Sequence, residues 1–217
     1  MRNIPVFTTE FGVASLILKE IPYTQTAYVR VQSSLSPCEL LEECAGFCRA
    51  AGAEKVFASG ADVPDSYLLH TKILRMEVCR AALPSTEATA CPVTEENADN
   101  WRKLYNQAMA NVDNASYMDD LDVKQMLQKG DGYFVHRGQQ LLGIGRASGQ
   151  TLDFLAAFQP GAGEDVVCAL AHALTGDDAV LTVASTNEKA INLYQRLGFV
   201  KNQELSRWYV VAESEKK

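Results

Sequence analysis

The sequence of 217 residues is long enough for one large domain or two small ones, and its 47% hydrophobic and 22% charged content is that of a globular protein with a substantial core. The formal net charge of −7 argues against a nucleic-acid partner, because an acidic surface repels a phosphate backbone. A cationic amine would meet a more favourable electrostatic field.

The cysteines and the apolar segments indicate the compartment. Six cysteines are scattered without the spacing of a zinc site: Cys38, Cys44, Cys48, Cys79, Cys91 and Cys168. Cys44 and Cys48 could share one helix face, where buried small residues are the simpler interpretation and a metal site is the alternative. No stretch resembles a signal peptide or reaches transmembrane length. We therefore expect a reduced, cytoplasmic protein without a metal or a membrane partner, and the oligomeric state stays open.

The first section, residues 1–88, has the pattern of a small α/β domain. Strands are predicted over residues 12–20, 26–32, 55–59 and 72–80. A helix is predicted to begin at Ser36-Pro37, with Ser as N-cap and Pro in the first turn, and to end at Gly52. The small, polar residues 84–91 are expected to form a linker.

The second section, residues 89–217, alternates strands and helices. Thr94 is the predicted N-cap of its first helix, and Gly138-Gln139 is a predicted hairpin turn. The apolar run at 152–158 predicts a strand buried on both faces. The remaining elements are predicted as helices over 121–129, 164–174 and 187–197, and as strands over 133–137, 140–146, 180–184 and 204–211. This order predicts an α/β fold around one central mixed sheet.

Two stretches of the second section carry residues suited to ligand binding. In the first, a strand runs into Gly161-Ala162-Gly163 and then a helix, so that backbone amides could approach a pyrophosphate, although turn glycines alone are the simpler reading. In the second, Ser185 and Glu188 form a predicted capping box. From its periodicity alone, Tyr194 in this helix is a core residue.

The second stretch resembles the second signature of the GNAT superfamily of acetyl-CoA-dependent N-acetyltransferases. The resemblance rests on Asn187, Ala190, Leu193-Tyr194 and Gly198-Phe199, and the order of elements over about 92–211 is similar as well. It implies the GNAT acyl-CoA N-acyltransferase fold and the transfer of an acetyl group from acetyl-CoA to a primary amine on a small molecule or peptide. A catalytically inactive acyl-CoA-binding, sensor or scaffold protein is the alternative.

The resemblance also implies a set of site residues. The pyrophosphate of acetyl-CoA would lie on the backbone amides of Gly161, Ala162, Gly163 and Glu164, and the pantetheine arm would pair with Ala156, Ala157 and Phe158. Asn187 would bind the pantetheine or its ordered water. Tyr194 would protonate the leaving thiolate, because a phenol with a reference pKa of about 10 stays protonated at neutral pH.

Some positions depart from the family pattern or leave a role open. Phe158 stands where the family usually has Arg or Gln, and the carboxylates of Glu164 and Asp165 would weaken the binding of a pyrophosphate. The candidate bases that would take the proton of the amine are Asp153 and His136, each of which has a simpler reading as a solvated surface residue.

One loop of the second section is a candidate for the acceptor site. The loop 111–120, which is acidic at Asp113, Asp119 and Asp120, is a candidate wall for the acceptor, and a solvated loop is the simpler reading.

The first section repeats part of the order of the second and resembles a degenerate half-GNAT unit. Its strand-to-helix turn, residues 33–38, has no glycine, and the loop 60–66 replaces the second signature helix. A section without these features is expected to bind no CoA. A small, unrelated α/β cap is the alternative.

Overall fold

A computed structural model describes residues 4–110, 112 and 115–213. These residues form two compact units, of which the first contains residues up to Ile73 together with those from Glu204 onward, and the second contains Leu74–Gln203. The division differs from the expected boundary after residue 88, because residues 74–88 belong to the second unit and the last strand ends in the first. No helix of the described residues is long and apolar enough to span a membrane.

The first unit is a sheet with one long helix. Its elements are β1 (Val6–Thr9), β2 (Gly12–Ile17), the short α1 (Ile21–Thr24), β3 (Thr26–Ser34), α2 (Pro37–Ala50), β4 (Lys55–Ser59), the start of β5 (Leu68–Cys79) and the end of β11 (Val200–Glu213). The strands β1, β2 and β3 are antiparallel, β3 and β4 are parallel, and β11 pairs with β4 in the antiparallel sense. The apolar face of α2, with Leu40, Leu41, Cys44 and Cys48, is buried in the core of this unit.

The second unit has helices on both faces of its sheet. After the end of β5 it contains β6 (Thr89–Pro92), α3 (Ala98–Met109), α4 (Asp120–Lys129), β7 (Gly132–Arg137), β8 (Gln140–Ser148), β9 (Thr151–Ala157), α5 (Gly163–His172), β10 (Asp178–Ala184) and α6 (Glu188–Arg196). The strands of this unit lie in the order β5-β10-β9-β8-β7-β6. The α/β fold with a mixed sheet is therefore confirmed.

Two of the local predictions for the second unit were wrong. The expected linker 84–91 contains the first residues of β6, which pairs with β7. This strand is only four residues long, so its sequence has no recognisable alternation. Helix α3 begins after Asn97 rather than Thr94. Strand β9 has core residues on both faces, as predicted, since Leu152 belongs to the cluster that contains α5 and Phe154 to the cluster that contains α3 and α4, with Asp153 exposed between them.

Two clusters of apolar side chains build the core of the second unit. One cluster joins α5 and α6 to residues such as Met76 of β5 and Leu181 of β10. The other joins α3 and α4 to Phe134 and Phe154 around Trp101, which is fully buried. The indole nitrogen of Trp101 donates a 2.9 Å hydrogen bond to the carbonyl of Tyr133. The sheet is thus fixed from both faces.

Two glycines allow α5 to lie close against β8. A Cβ atom on Gly143 would overlap the carbonyl of Ala156 and lie 2.7 Å from Val166, and one on Gly145 would overlap Leu170 and lie 2.8 Å from the carbonyl of Phe154. Because these neighbours are main-chain atoms of β9 and buried side chains of α5, neither can move cheaply.

We expect Gly145→Ala to lower the free energy of unfolding by about 1–3 kcal/mol, because the added methyl group overpacks the contact between α5 and β8. Gly46→Ala is the matched control. Gly46 lies on the exposed face of α2 with no atom within 4 Å of an added Cβ, so this change should stabilise the protein by about 0.5–1 kcal/mol. Urea denaturation of both variants measures the difference, and similar values for the two would contradict the close packing.

Candidate functional site

The parallel strands β9 and β10 separate soon after they begin. They are paired at Thr151 with Val180 and at Leu152 with Leu181, whereas β9 continues to Ala157 and β10 to Ala184. On its other edge β9 remains paired with β8, and the amide of Phe158 donates a 2.8 Å hydrogen bond to the carbonyl of Leu142. The edge of β9 that points towards β10 therefore has main-chain groups without a strand partner.

The carbonyl positions show which residues of β9 lie on that open edge. The carbonyl oxygens of Phe154 and Ala156 lie close to Gly145 and Gly143 of β8. Successive main-chain groups of a strand point to opposite edges. The amide and carbonyl groups of Leu155 and Ala157 therefore point towards β10. Of the three residues proposed to hold the pantetheine arm, Ala157 thus lies on the open edge, and the amides of Ala156 and Phe158 face β8.

Helix α5 begins directly after this edge and presents unbonded amides. The amide of Ala162 donates a hydrogen bond to the carbonyl of Gln159 in the turn, and the amide of Val166 donates the first helical bond to the carbonyl of Ala162. Between them, the amides of residues 163, 164 and 165 make no hydrogen bond with the described part of the chain. Such amides, at the positive end of a helix dipole, are suited to bind a phosphate.

The two glycines of the turn have different roles. Gly161 has φ of 82°, a conformation that favours glycine, and an added Cβ there would meet no atom. A Cβ on Gly163 would lie 2.8 Å from Leu193 of α6. Gly163 is therefore explained by the packing of α5 against α6, and a larger residue there would disturb that packing as well as any ligand.

The two carboxylates at the start of α5 differ in their surroundings. Asp165 accepts a 2.7 Å hydrogen bond from the hydroxyl of Thr86 and forms an ion pair of 2.5 Å with Arg137. Glu164 is exposed and makes no such contact within the described residues. One of the two negative charges is thus compensated, and Glu164 is the remaining carboxylate beside the unbonded amides.

Asn187 begins the helix α6. Its side-chain oxygen accepts a 3.2 Å hydrogen bond from the amide of Ala190. The predicted capping box of Ser185 and Glu188 was wrong, because the chain turns after β10, where the amide of Asn187 bonds to Ala184 at 2.9 Å, and the helix begins after Asn187. This side chain therefore fixes the start of the helix, and its nitrogen is the group left for a ligand.

Tyr194 lies on the buried face of α6. It is 8% exposed, and its ring centroid lies 5.7 Å from that of Phe199. Its hydroxyl makes no hydrogen bond within the described residues, yet its oxygen is not fully enclosed. Burial raises the pKa of Tyr194 to about 12. The phenol is therefore protonated throughout the neutral range.

Asp153 is the extra residue of a bulge in β9. Leu152 pairs with Ala147 and Phe154 with Arg146, so that Asp153 has no residue opposite it on β8. Partial burial of its carboxyl group, although the residue as a whole is exposed, raises the pKa of Asp153, while the charge of Arg146 lowers it and that of Asp131 raises it. The bulge thus sets a carboxyl group with an increased proton affinity at the edge where the strands begin to separate.

Two of the charges that act on the pKa of Asp153, those of Asp131 and Arg146, form an ion pair. Asp131, which is 2% exposed, accepts hydrogen bonds of 3.1 Å and 2.6 Å from the guanidinium of Arg146. The sequence analysis missed this pair, whose members are fifteen residues apart, with Asp131 directly before β7 and Arg146 on β8. His136, the other candidate base, lies on β7 and pairs with Thr89 of β6, two strands away from β9.

The acidic residues expected to line the acceptor site have local roles. Asp119 is the N-cap of α4 and forms a capping box with Asp122. Asp120 forms an ion pair with Arg102 of α3. Asp113 lies outside the described residues. Among the described residues, no group of His, Cys, Asp and Glu has the arrangement of a metal site.

The first unit has a similar order of elements but a closed parallel pair. As in the second unit, two antiparallel strands precede a parallel pair joined by a helix, which agrees with a degenerate half-unit. Strands β3 and β4, however, are paired at five positions, from Thr26 with Lys55 to Arg30 with Ser59. These pairs span the whole of β4, and Pro37 leaves one amide fewer at the start of α2.

Known proteins share part of the sequence pattern and the fold of this chain. A family model described as FR47-like protein matches residues 157–209, from the end of β9 into β11. No curated protein matches the sequence.

Solved structures are similar over nearly the whole chain. A functionally unknown conserved protein from Staphylococcus epidermidis has a TM-score of 0.60 at 11% identity, covering 96% of this chain and 93% of its own. A GNAT-family acetyltransferase from Colwellia psychrerythraea has a TM-score of 0.52 at 14% identity, with 94% and 84% covered. A GCN5-related N-acetyltransferase from Anabaena variabilis has a TM-score of 0.59 at 10% identity, with 92% and 59% covered. At these identities the likeness shows the fold.

The raised pKa of Tyr194 predicts an alkaline loss of stability. Above pH 10 the tyrosine of the unfolded chain begins to lose its proton, whereas the folded one keeps it up to about pH 12, so the free energy of unfolding falls as the pH rises through this range. Between pH 8 and 10.5, Tyr194→Phe should lose roughly 1 kcal/mol less than the wild type. Urea denaturation at the two pH values measures this, and identical losses would contradict the burial of the hydroxyl.

Proposed function

We propose that this chain, which has the fold of the GNAT superfamily, transfers an acetyl group from acetyl-CoA to a primary amine. The observation that carries the proposal is the separation of β9 and β10 after two residue pairs, immediately before a helix whose first amides are unbonded. A strand edge of this kind can pair with the amide groups of an extended pantetheine arm, and the amides can bind the pyrophosphate at its end. Both are needed to hold a long, phosphate-bearing thioester.

The residues proposed to hold acetyl-CoA divide by the group that each offers. Ala157 offers its main-chain amide and carbonyl on the open edge of β9, and Ala156 and Phe158 line the same segment. Gly161 and Ala162 form the turn, and the amides of Gly163 and Glu164 bind the pyrophosphate. Asn187 offers its side-chain nitrogen, since its oxygen caps α6.

Tyr194 is the proposed general acid. The nitrogen of the amine forms a bond with the acyl carbon, the carbon–sulfur bond breaks, and the thiolate takes the proton of the phenol. A pKa of about 12 keeps the phenol protonated before the reaction. The same burial that disfavours the phenolate also disfavours the leaving thiolate, so that the transfer of the proton to sulfur remains favourable in this setting.

Asp153 is the proposed acceptor of the proton from the amine, directly or through water. A carboxylate of ordinary pKa holds a proton weakly, whereas the raised pKa of Asp153 brings its proton affinity closer to that required of a base at neutral pH. The amine is a cation when it arrives, and the carboxylate also favours its approach.

An acyl-CoA-binding protein without catalysis is the second candidate. Tyr194 packs against Phe199 as a core residue does, and the exposed Glu164 beside the unbonded amides opposes tight binding of a pyrophosphate. This function uses the same site but needs no hydroxyl on residue 194. Turnover by the wild type and by Tyr194→Phe distinguishes the two candidates.

We expect Glu164→Gln to strengthen the binding of acetyl-CoA about 2- to 5-fold, because it removes a negative charge beside the pyrophosphate. The matched control is Glu95→Gln, which removes an exposed carboxylate that precedes α3 and should leave the affinity unchanged. Titration calorimetry measures both affinities and should give one site per chain, since the parallel pair of the first unit is closed. An unchanged affinity of Glu164→Gln, or two sites, would contradict the proposed placement.

We expect Tyr194→Phe to lower turnover about 10²- to 10⁴-fold with little change in the affinity for acetyl-CoA, because the variant keeps the ring and loses the proton donor. Release of the CoA thiol in the presence of an amine measures turnover. A wild type that binds acetyl-CoA but acetylates no amine would favour the second candidate. A wild type whose melting temperature does not respond to acetyl-CoA would refute both.

A further inference from the structure

Arg146 of β8 is held in one orientation by a buried carboxylate. Asp131, which is 2% exposed and directly precedes β7, accepts hydrogen bonds of 3.1 Å from Nε and 2.6 Å from Nη2 of this arginine. The main-chain carbonyl of Asp131 also accepts a 2.9 Å hydrogen bond from the amide of Ala147, the next residue of β8. A guanidinium bonded along one edge to both oxygens of a carboxylate has little freedom to turn.

This ion pair lies on the face of the sheet that carries α3 and α4. Arg146 pairs with Gly132 of β7 on one side and with Phe154 of β9 on the other, and residues paired in this way share a face. Phe154 belongs to the cluster that contains α3 and α4, and a Cβ on Gly132 would lie 2.5 Å from the Sδ of Met126 in α4. Because Gly132 has no side chain, the guanidinium of Arg146 can reach Asp131 beside it.

Asp153 lies directly next to this row of paired residues. It is the bulge residue before Phe154, and β8 separates it from Asp131. The charges of Asp131, Arg146 and Asp153 therefore alternate in sign from one side of β8 to the other. Within the described residues Arg146 and Asp153 form no ion pair, so the arginine acts on Asp153 through its electric field.

The balance of these effects decides whether Asp153 is ionised. Burial of its carboxyl group raises the pKa of Asp153, the charge of Arg146 lowers it, that of Asp131 raises it, and that of Lys129 at the end of α4 lowers it least. Arg146 is thus the main group that favours the carboxylate, and Asp131 limits how far it does so.

Stability alone is a weak reason for a buried ion pair. A well-packed apolar pair of similar volume often holds a fold equally well. A β-bulge commonly turns one side chain towards a functional site. In this sheet the ion pair and the bulge at Asp153 occur at the same level, where β9 and β10 begin to separate.

We propose that Arg146 is a positioning residue for the base: held by Asp131, its guanidinium keeps the carboxyl group of Asp153 ionised and able to take the proton of the amine. The inference rests on the proposed function, because it takes Asp153 to be the proton acceptor. The N–H bond of the ammonium group breaks, the proton passes to a carboxylate oxygen of Asp153 directly or through water, and the nitrogen keeps the electron pair with which it attacks the thioester. Arg146 itself does not contact the substrate.

The experiment uses two variants that break the same ion pair and change the charge in opposite directions. Arg146→Gln removes the positive charge and should raise the pKa of Asp153, whereas Asp131→Asn removes a negative charge and should lower it. NMR titration of the side-chain carboxyl carbon of Asp153, assigned with the help of Asp153→Asn, measures both. Because both variants lose the same two hydrogen bonds, a purely structural role of the pair would not give shifts of opposite sign.

The pH dependence of turnover should follow the same titration. Asp153 accepts a proton only when it is ionised, so kcat/KM for an amine should rise with pH as Asp153 loses its proton. In Arg146→Gln this rise should move to higher pH, and in Asp131→Asn to lower pH, in step with the NMR titration of each variant.

The matched control is Arg102→Gln. Arg102 of α3 is also a partly buried arginine with carboxylate partners, Asp99 and Asp120. Its charge does not act measurably on Asp153, so the titration of Asp153 should stay where it is in the wild type.

A double variant keeps the inference testable if either single variant does not fold. Asp131→Asn combined with Arg146→Gln leaves no unpaired buried charge. Since Arg146 acts more strongly on Asp153 than Asp131 does, the pKa of Asp153 should still be raised above that of the wild type. An unchanged titration in the double variant would overturn the inference.

The outcomes separate this inference from the proposed function. A titration of Asp153 that is unchanged in the single variants, or that moves in the same direction in both, overturns the inference, and so does a pH dependence of kcat/KM that does not follow it, while acetyl transfer stands in all these cases. A wild type that acetylates no amine overturns the proposed function. The NMR titration needs neither acetyl-CoA nor turnover, and then still decides whether Arg146 governs the charge of Asp153.

Discussion

The parallel strands β9 and β10 are joined at two residue pairs and then separate, and the candidate site depends on this short pairing. Main-chain amides and carbonyls must find hydrogen-bond partners, so a strand edge left open inside a sheet is costly unless water or a ligand covers it. Other contacts in the second unit hold β9 in the sheet although this edge has no strand partner. Strand β8 holds the other edge of β9, and α5 lies close against β8 because Gly143 and Gly145 have no side chains.

In the first unit, the same order of elements forms a parallel strand pair without an open edge. Its parallel strands β3 and β4 are paired along the whole of β4, which satisfies the main-chain groups that β9 leaves open. Its crossover helix α2 begins with a proline and an acidic turn, and buries cysteines whose pKa values burial raises to about 12 at Cys44 and about 11 at Cys48. Such thiols are protonated and unreactive at neutral pH. The first unit thus keeps the architecture and lacks the open edge on which the proposed function of the second unit depends.

Charge within the second unit is arranged around the same opening. Asp165 is neutralised by Arg137, and Asp131 is paired with Arg146, so the charge of each carboxylate is compensated. Glu164 and Asp153 are less fully compensated, and each lies on or beside the strands that separate. Tyr194 is buried, and its hydroxyl makes no hydrogen bond within the described residues.

The sequence by itself determined the elements whose signals are local. The helix after Ser36-Pro37, the strand 55–59, the hairpin at Gly138 and the stop of α6 at Gly198 follow from capping, alternation and turn residues that act over a few positions. The stretch from Asn187 to Phe199 also sufficed for the resemblance that led to the fold. Tertiary structure alone decided the features that join distant residues: the pairing of β11 with β4, the strand at Thr89–Pro92 and the bulge at Asp153. Periodicity records which face of an element is apolar, but not which strand lies beside it, and strand neighbours decide which main-chain and side-chain groups are left without a partner.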